Sequence, residues 1–477
     1  MESHSQQAAT VAVPSPPAAP PHRPALILTV LSAAAFMAGL DVFIVNVAFT
    51  GIGRDFSGVS LPDLSWILNA YTIVYAALLV PLGRLADRYG RKAGFMAGLA
   101  LFTLASAACA ASSGLWALVA FRVLQAVGAA MLTPASLGLL VAANPPERRA
   151  RAVRIWAASG ALASALGPVL GGLLVEASWQ WVFLVNIPVG VVALVAAARL
   201  VPDSRDTAAG RIPDVLGAIV LALAIGALTL ALVQGPDRGW ASAGILTAFA
   251  VVVLAAAVFG YRMTRHPAPI VEPALLRVRA FAWSNVTSVL FSVAFAANLL
   301  GVIQWMQQVW HYSPLQTGLA VAPGPLMVPV VSALAHRFGR RVPVGVQAGA
   351  GCLLFALGSV VLLLSVGTTP HYATDLLPGW LIGGAGVGLA LPTILSAATA
   401  DLPPARAATG SAVVNMSRQI GTSLGVALLV AVLAGTAASG DVLSSYVHAW
   451  WATAGVGLLA AVTALGMTPP RRPAHSS

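Results

Sequence analysis

Asp41 lies in FMAGLDVFIVNVAF, residues 36–49, inside an apolar run that extends from Ala25 to Phe49. A carboxylate at the middle of a hydrocarbon layer costs about 2.5–3.5 kcal/mol on insertion scales, so it must pair with a cation, hold a proton, or alternate between the two. Arg122, in LVAFRVLQAVG, is a cation in a second apolar run. Desolvation raises a carboxyl's proton affinity and a nearby guanidinium lowers it. An acid and a base that share one layer, in surroundings that move, form a proton-coupling device; the plainer reading of the same two residues is a static pair that fixes packing. Around them stand residues suited to a large, partly apolar ligand: Asn46, Tyr71 and Gln125, then Phe291, Phe295, Asn298, Gln304 and Trp305 much later in the chain.

The elements that must hold these residues are membrane spans. The chain has 477 residues, of which 58% are hydrophobic and only 9% charged, far from the make-up of soluble domains. Runs of about 20 apolar residues predict fourteen crossings, near 26–49, 64–82, 93–112, 115–142, 153–175, 181–201, 213–234, 241–262, 282–308, 314–335, 342–366, 376–399, 407–436 and 445–467. The fold class is thus an all-α polytopic membrane protein. The fourth span enters near Leu115, which puts Arg122 about 10 Å below that surface, while Asp41 lies about 13 Å below the same surface. The two fall in one layer.

Charge sets the orientation. Of 26 Lys+Arg, 22 fall in segments on one side of the membrane; Arg54 and Arg238 are on the other, and Arg122 and Arg418 are within spans. The positive-inside rule then predicts cytoplasmic N- and C-termini. The same distribution turns the net charge of +11 away from nucleic acid and towards the lipid bilayer. Residues 1–24, rich in Ala, Pro and Ser, read as a disordered cytoplasmic tail rather than a signal peptide, and 468–477 as a second tail. Cys109 and Cys352 both fall inside spans, which argues against a structural disulfide or a metal site.

The chain contains itself twice. GRLADRYGRK at 83–92 aligns with SALAHRFGRR at 332–341, with Arg88 on Arg337, and residues 148–167 align with 406–425. Two halves running in the same direction are a transporter signature. They predict a bundle over 25–202, a two-helix hairpin over 203–263, and a second bundle with its preceding loop over 264–467. The segment 265–281 reads as a basic connector carrying a short amphipathic surface helix.

These motifs carry a resemblance. Gly83, Asp87, Arg88, Gly90, Arg91 and Lys92 match the loop motif between the second and third helices of the major facilitator superfamily. Arg122, Gln125 and Gly128 match its fourth-helix motif, with Ala126 where Gly is usual. GPVLGG, containing Gly167, Pro168, Gly171 and Gly172, matches the fifth-helix antiporter motif, with Ala163 at its common first Gly. LDVFIVNVA at 40–48 resembles the first-helix motif of the drug-exporting branch. From 26 to 467 the chain most resembles the fourteen-span drug:proton antiporter family. The resemblance implies two six-helix bundles with a two-helix insertion, in a bacterial plasma membrane, functional as a monomer.

It further implies a gating role for the Asp87 loop and its second copy at Arg337, and a bend at Pro168 that closes the outer side. Arg418, in RQIG on the thirteenth span, is grouped with these conformational residues, although backbone carbonyls or an anionic substrate are also open to it. No phosphate-binding P-loop occurs, so no nucleotide cofactor is expected and the proton gradient is the expected energy source. No Ser/His/Asp or His/Cys set suggests an enzyme. The function expected is export of a small hydrophobic or cationic drug in exchange for protons. An exporter of an endogenous metabolite such as an amino acid or siderophore, or a non-transporting sensor or scaffold, are the rival readings.

Overall fold

The computed structural model describes residues 24–56, 58–205, 212–338, 342–436 and 441–468. The predicted tails therefore lie almost wholly outside the described residues, as do Gly339 and Arg340 of the second loop copy. Fourteen helices long and apolar enough to cross a membrane occur among the described residues. They are α1 (Pro24–Asp55), α2 (Leu61–Tyr89), α3 (Arg91–Ala110), α4 (Leu115–Ala143), α5 (Pro146–Ala177), α6 (Trp181–Leu200), α7 (Val215–Arg238), α8 (Ala243–Arg265), α9 (Arg279–Gln308), α10 (Pro314–Arg337), α11 (Val344–Ser365), α12 (Tyr372–Ala400), α13 (Arg406–Thr436) and α14 (Val442–Leu465).

Local chemistry explains the ends. Ser60 caps α2 by accepting from the Asp63 amide at 3.2 Å, and Ser313 with Gln316 forms a capping box that starts α10. Gly90, at φ +132°, supplies the backbone freedom that stops α2 and allows α3 to start on the next residue. Asp87 therefore lies within the last turns of α2 and not in a loop, as its motif suggests. The segment after α8, expected to carry a short surface helix, forms a single helical turn, Pro273–Leu276. Proline at both 267 and 269 keeps the preceding chain extended.

The two halves repeat in space as they do in sequence. In the first bundle, α1 packs along α5, α2 along α4, and α3 against α4 and α6; in the second, α9 packs along α13, α10 along α12, and α11 against α12 and α14. The seams between bundles obey the same symmetry, α5 with α10 and α2 with α13. The hairpin breaks it, because α7 lies against both α2 and α13 and covers only that seam. Its base is tied by Asp214, which caps α7 through the Gly217 amide at 2.7 Å and pairs with Arg262 of α8 at 2.5 Å. Burial by itself would raise the Asp214 carboxyl, but the Arg262 bonds, the Gly217 amide and the adjacent positive charge outweigh it and hold the group below its usual value.

Along the α5–α10 seam, contact is confined to the arginine-poor end. A Cβ on Gly172 would collide with the Pro314 carbonyl, one on Gly318 with the Pro168 carbonyl, and Glu176 accepts from the Leu315 amide at 3.2 Å. Towards the arginine-rich end, Arg154–Leu162 of α5 and Pro329–Arg337 of α10 are exposed round most of their circumference. Along this seam the two helices touch at one end and part at the other.

Candidate functional site

The residues singled out by their chemistry fall into two neighbouring places. Within the first bundle, α1 supplies Asp41, α4 supplies Arg122 and Gln125, α3 supplies Ser106, and α6 supplies Asn186. Arg122 Nη1 meets Asp41 Oδ2 at 2.5 Å, with side-chain exposures of 1% and 0%. The other carboxylate oxygen accepts from Gln125 Nε2 at 2.8 Å and from Asn186 Nδ2 at 3.4 Å. Gln125 also reaches Ser106 Oγ at 2.8 Å, and Arg122 Nε donates to the Ile67 carbonyl of α2 at 3.2 Å. The predicted common layer is thus one continuous hydrogen-bonded network joining all the helices of the bundle except α5.

Arg122 does more than neutralise Asp41. Its guanidinium lies 4.1 Å from the centroid of the Tyr71 ring, a cation–π contact, and Tyr71 in turn packs against Tyr75 with centroids 5.9 Å apart. The Tyr71 hydroxyl is buried without a hydrogen-bond partner among the described residues. Tyr75 donates to Thr133 at 3.3 Å and keeps some accessible surface, although protein surrounds it. Arg418 of α13 is near enough to act on its charge, so Tyr75 lies on the side of α2 turned towards the second bundle. The two tyrosines therefore form a short bridge from the buried ion pair to the space between the bundles.

The second place is an apolar cleft between the bundles. Phe43, Ser164 and Pro168 line it from the first bundle; Phe295, Asn298, Phe355 and Trp380 are among its walls from the second. Asn298 is 3% exposed and its Oδ1 has no partner among the described residues, a buried acceptor in an otherwise apolar wall. The remaining residues expected to form a substrate wall lie elsewhere. Phe291 packs edge-on against Phe355 within the second bundle, at 5.4 Å. Trp305 is clamped between Tyr446 and Trp450, and Gln304 is bonded by Gln308 at 3.2 Å. Asn46 directs its amide to the Val42 carbonyl of its own helix at 2.9 Å. Periodicity could not separate Phe291, Gln304 and Trp305 from Phe295 and Asn298, since buried residues fall on nearly every side of this stretch of α9.

The conformational residues also divide. Asp87 pairs with Arg91 at 2.5 Å across the α2–α3 turn, the Arg91 amide donates to the Ser204 carbonyl at 2.9 Å, and Lys92 reaches the Ala198 carbonyl at 2.9 Å. Arg88 lies over the Tyr89 ring at 5.5 Å, and Gly83 lets α2 approach Pro134 of α4. These contacts fasten the first bundle to itself. Gly167 and Gly171 abut Phe43 and Ile44 of α1, so of the three glycines only Gly172 meets the other bundle, beside the Pro168 carbonyl that meets Gly318. Arg337 is exposed at the end of α10. Arg418 lies on α13, near enough to Tyr75 of α2 for the two to interact electrostatically.

Sequence reasoning missed three participants. Asn186 and Ser106 are ordinary small polar residues in apolar runs, with no spacing that ties them to Asp41. Glu272 is the single acid among Arg262, Arg265, Arg277 and Arg279, and that isolation was its available signal. It joins Arg84 of α2 at 3.3 Å to Arg406 of α13 at 3.5 Å, while Arg84 also donates to the Pro269 carbonyl at 2.8 Å. The connector therefore ties the two bundles together at the arginine-rich end of the α2–α13 seam.

Two similar bundles that close at one end around a cleft, with a buried ion pair beside it, have the build of a secondary transporter. The chain belongs to the Major Facilitator Superfamily, whose family model matches residues 31–426. It is 33% identical over 411 residues to the methylenomycin A resistance protein of Streptomyces coelicolor, with 86% of each chain covered. It is 34% identical to the multidrug resistance protein Stp of Mycobacterium tuberculosis over 84% of this chain and 74% of that one. With the tetracenomycin C resistance and export protein of Streptomyces glaucescens it shares 32% identity over 86% and 76%. Among solved structures, a D-xylose-proton symporter superposes with a TM-score of 0.68 at 13% identity, covering 93% of this chain and 98% of that one. That likeness concerns the fold alone.

Proposed function

We propose that this chain is a proton-coupled antiporter that expels a drug-like, largely apolar small molecule from the cytoplasm of a bacterium. The relatives named for drug and antibiotic resistance support the export of such molecules. The observation that carries proton coupling is the Asp41 carboxylate, fully buried with both oxygens bonded and one tyrosine pair away from the inter-bundle space. In this reading the arginine-rich end is cytoplasmic and the described conformation faces inward.

Protonation of Asp41 removes the charge that holds Arg122. A buried cation without its counter-ion is strongly disfavoured, so Arg122 shifts towards the Tyr71 ring and its unpartnered hydroxyl. Because Tyr71 and Tyr75 both belong to α2, that shift bears on the helix that packs against α13. Proton binding thereby biases the seam about which the bundles rock, and substrate in the cleft biases it in the opposite sense. Release of the proton inside restores the pair.

The test is drug efflux in everted vesicles with an imposed pH gradient. Asp41→Asn is expected to lose gradient-driven efflux while the protein remains in the membrane. Undiminished efflux by that variant would move the proton site elsewhere.

A further inference from the structure

We propose that Arg418 binds an acidic group on the transported molecule, so that the preferred substrates are amphipathic monoanions, an apolar body carrying one carboxylate. The inference rests on the export reading above and deepens it, replacing the hydrophobic or cationic substrate expected from sequence with an acidic one.

Arg418 is the one arginine within the spans of the second bundle away from their ends, and no ion pair formed among the described residues includes it. It is only partly buried, and Tyr75 of α2 in the first bundle is near enough to act on its charge, so it lies on the side of α13 turned towards the first bundle. It is also not isolated on its helix. Ser411, Asn415, Arg418 and Thr422 are spaced to share one face of α13, and all four are partly accessible, as are Ala412 and Ile420, whereas Val413, Val414, Met416, Ser417 and Gln419 are buried. A polar stripe along one face of a membrane helix, centred on a cation, lines a space meant to hold something polar.

The rest of the ligand has a place to go. Gly421 abuts the Val289 carbonyl and Gly425 the Val293 carbonyl, so α9 and α13 run side by side in the same direction and Arg418 is level with residue 286. Phe295 on α9 is then about 13 Å further along, at 1.5 Å per residue, where the apolar cleft begins. A drug-sized molecule can place a carboxylate at Arg418 and an aromatic body against Phe295, Phe355 and Trp380. A cation in the same position would meet the uncompensated charge of Arg418 and be repelled.

The experiment measures binding to the full chain in phosphatidylcholine nanodiscs with three fluorescent probes: 1-pyrenebutyric acid, its methyl ester, and a pyrenebutyl trimethylammonium salt. Wild type is expected to bind the acid roughly tenfold to a hundredfold more tightly than the ester, the range of a charged hydrogen-bonded contact, and the cation more weakly than either. Arg418→Gln should erase the acid-over-ester preference, and Arg418→Lys should keep most of it. The wild-type comparison needs no variant, so a failure of Arg418→Gln to fold leaves the proposal testable.

Equal binding of acid and ester by wild type, preference for the cation, or a preference that survives Arg418→Gln would each overturn it. So would loss of the acid preference on adding phosphatidylglycerol, which would assign the site to a lipid headgroup. Proton-driven drug efflux by a wild type that shows no acid preference would sink this inference and leave the antiport reading standing. Acid preference together with undiminished efflux by Asp41→Asn would do the reverse.

Discussion

Neutralising Asp41 separates a coupling role from a packing role, because the two predict different outcomes for the double variant. In Asp41→Asn, Arg122 keeps the Ile67 carbonyl, the Gln125 Oε1 contact at 2.6 Å and the Tyr71 ring, but loses its counter-charge at 1% exposure. Breaking one partner out of a buried pair destabilises by about 3–5 kcal/mol, and the retained amide oxygen of Asn keeps the loss near about 3 kcal/mol. For a unit the size of the first bundle, 1 kcal/mol moves the melting temperature by about 2–4 °C, so a fall of roughly 6–12 °C is expected. Asp41→Asn with Arg122→Gln removes both charges and should recover to within about 1 kcal/mol of wild type, since neutral replacement of a buried pair is often harmless.

The assay is built into the chain. Cys109 and Cys352 are both buried and free, so a thiol-reactive dye in detergent reports unfolding as they become accessible. Gradient-driven efflux is measured on the same two variants. The stable double variant should transport no better than the single one. Efflux restored along with stability would show that the pair serves packing only, and unchanged stability in Asp41→Asn would refute the energetic argument itself.

Other substitutions probe the seams and the hairpin. Gly318→Val places side-chain atoms against the Pro168 carbonyl; efflux should be lost, and spin-label distances between the arginine-poor ends of α5 and α10 should lengthen, whereas an unchanged distance would mean that this contact does not close the seam. Glu272→Gln frees Arg84 and Arg406 from their shared partner. Partly exposed pairs contribute about 0.2–1 kcal/mol each, so labelling of a cysteine near the arginine-rich end of α13 should quicken by several-fold and no more. For Asp214 the sign follows from its lowered value: its contribution is present in full above the ordinary value of 3.8 and is lost as pH falls through the lower folded value. Asp214→Asn should therefore lower the melting temperature at pH 7, and the gap to wild type should close as pH drops below about 3.8; a gap that persists at low pH would contradict it.

What the sequence determined follows from solvent and period. Only a helix satisfies its own backbone in hydrocarbon, so apolar runs of sufficient length specified the helices directly, and all fourteen appear with ends close to those expected. The duplicated segments implied two like bundles, and a charge that burial disfavours identified Asp41 and Arg122 as residues needing partners. Depth along a helix is linear in residue number, which is why their common layer could be calculated.

Which way each helix turns its faces within the bundle, and which neighbour each face meets, do not follow from residue number, and those only the tertiary structure decided. It placed the ion pair inside the first bundle instead of in the central space, behind Tyr71 and Tyr75. It sent Gly167 and Gly171 to α1 but Gly172 to α10, although all belong to one motif. It separated Asn298, whose acceptor is unpartnered in the cleft, from Trp305, two turns further along the same side of the helix and packed among aromatics. It joined Glu272 to arginines far away in sequence, a contact no local pattern encodes because it exists only once the two bundles meet.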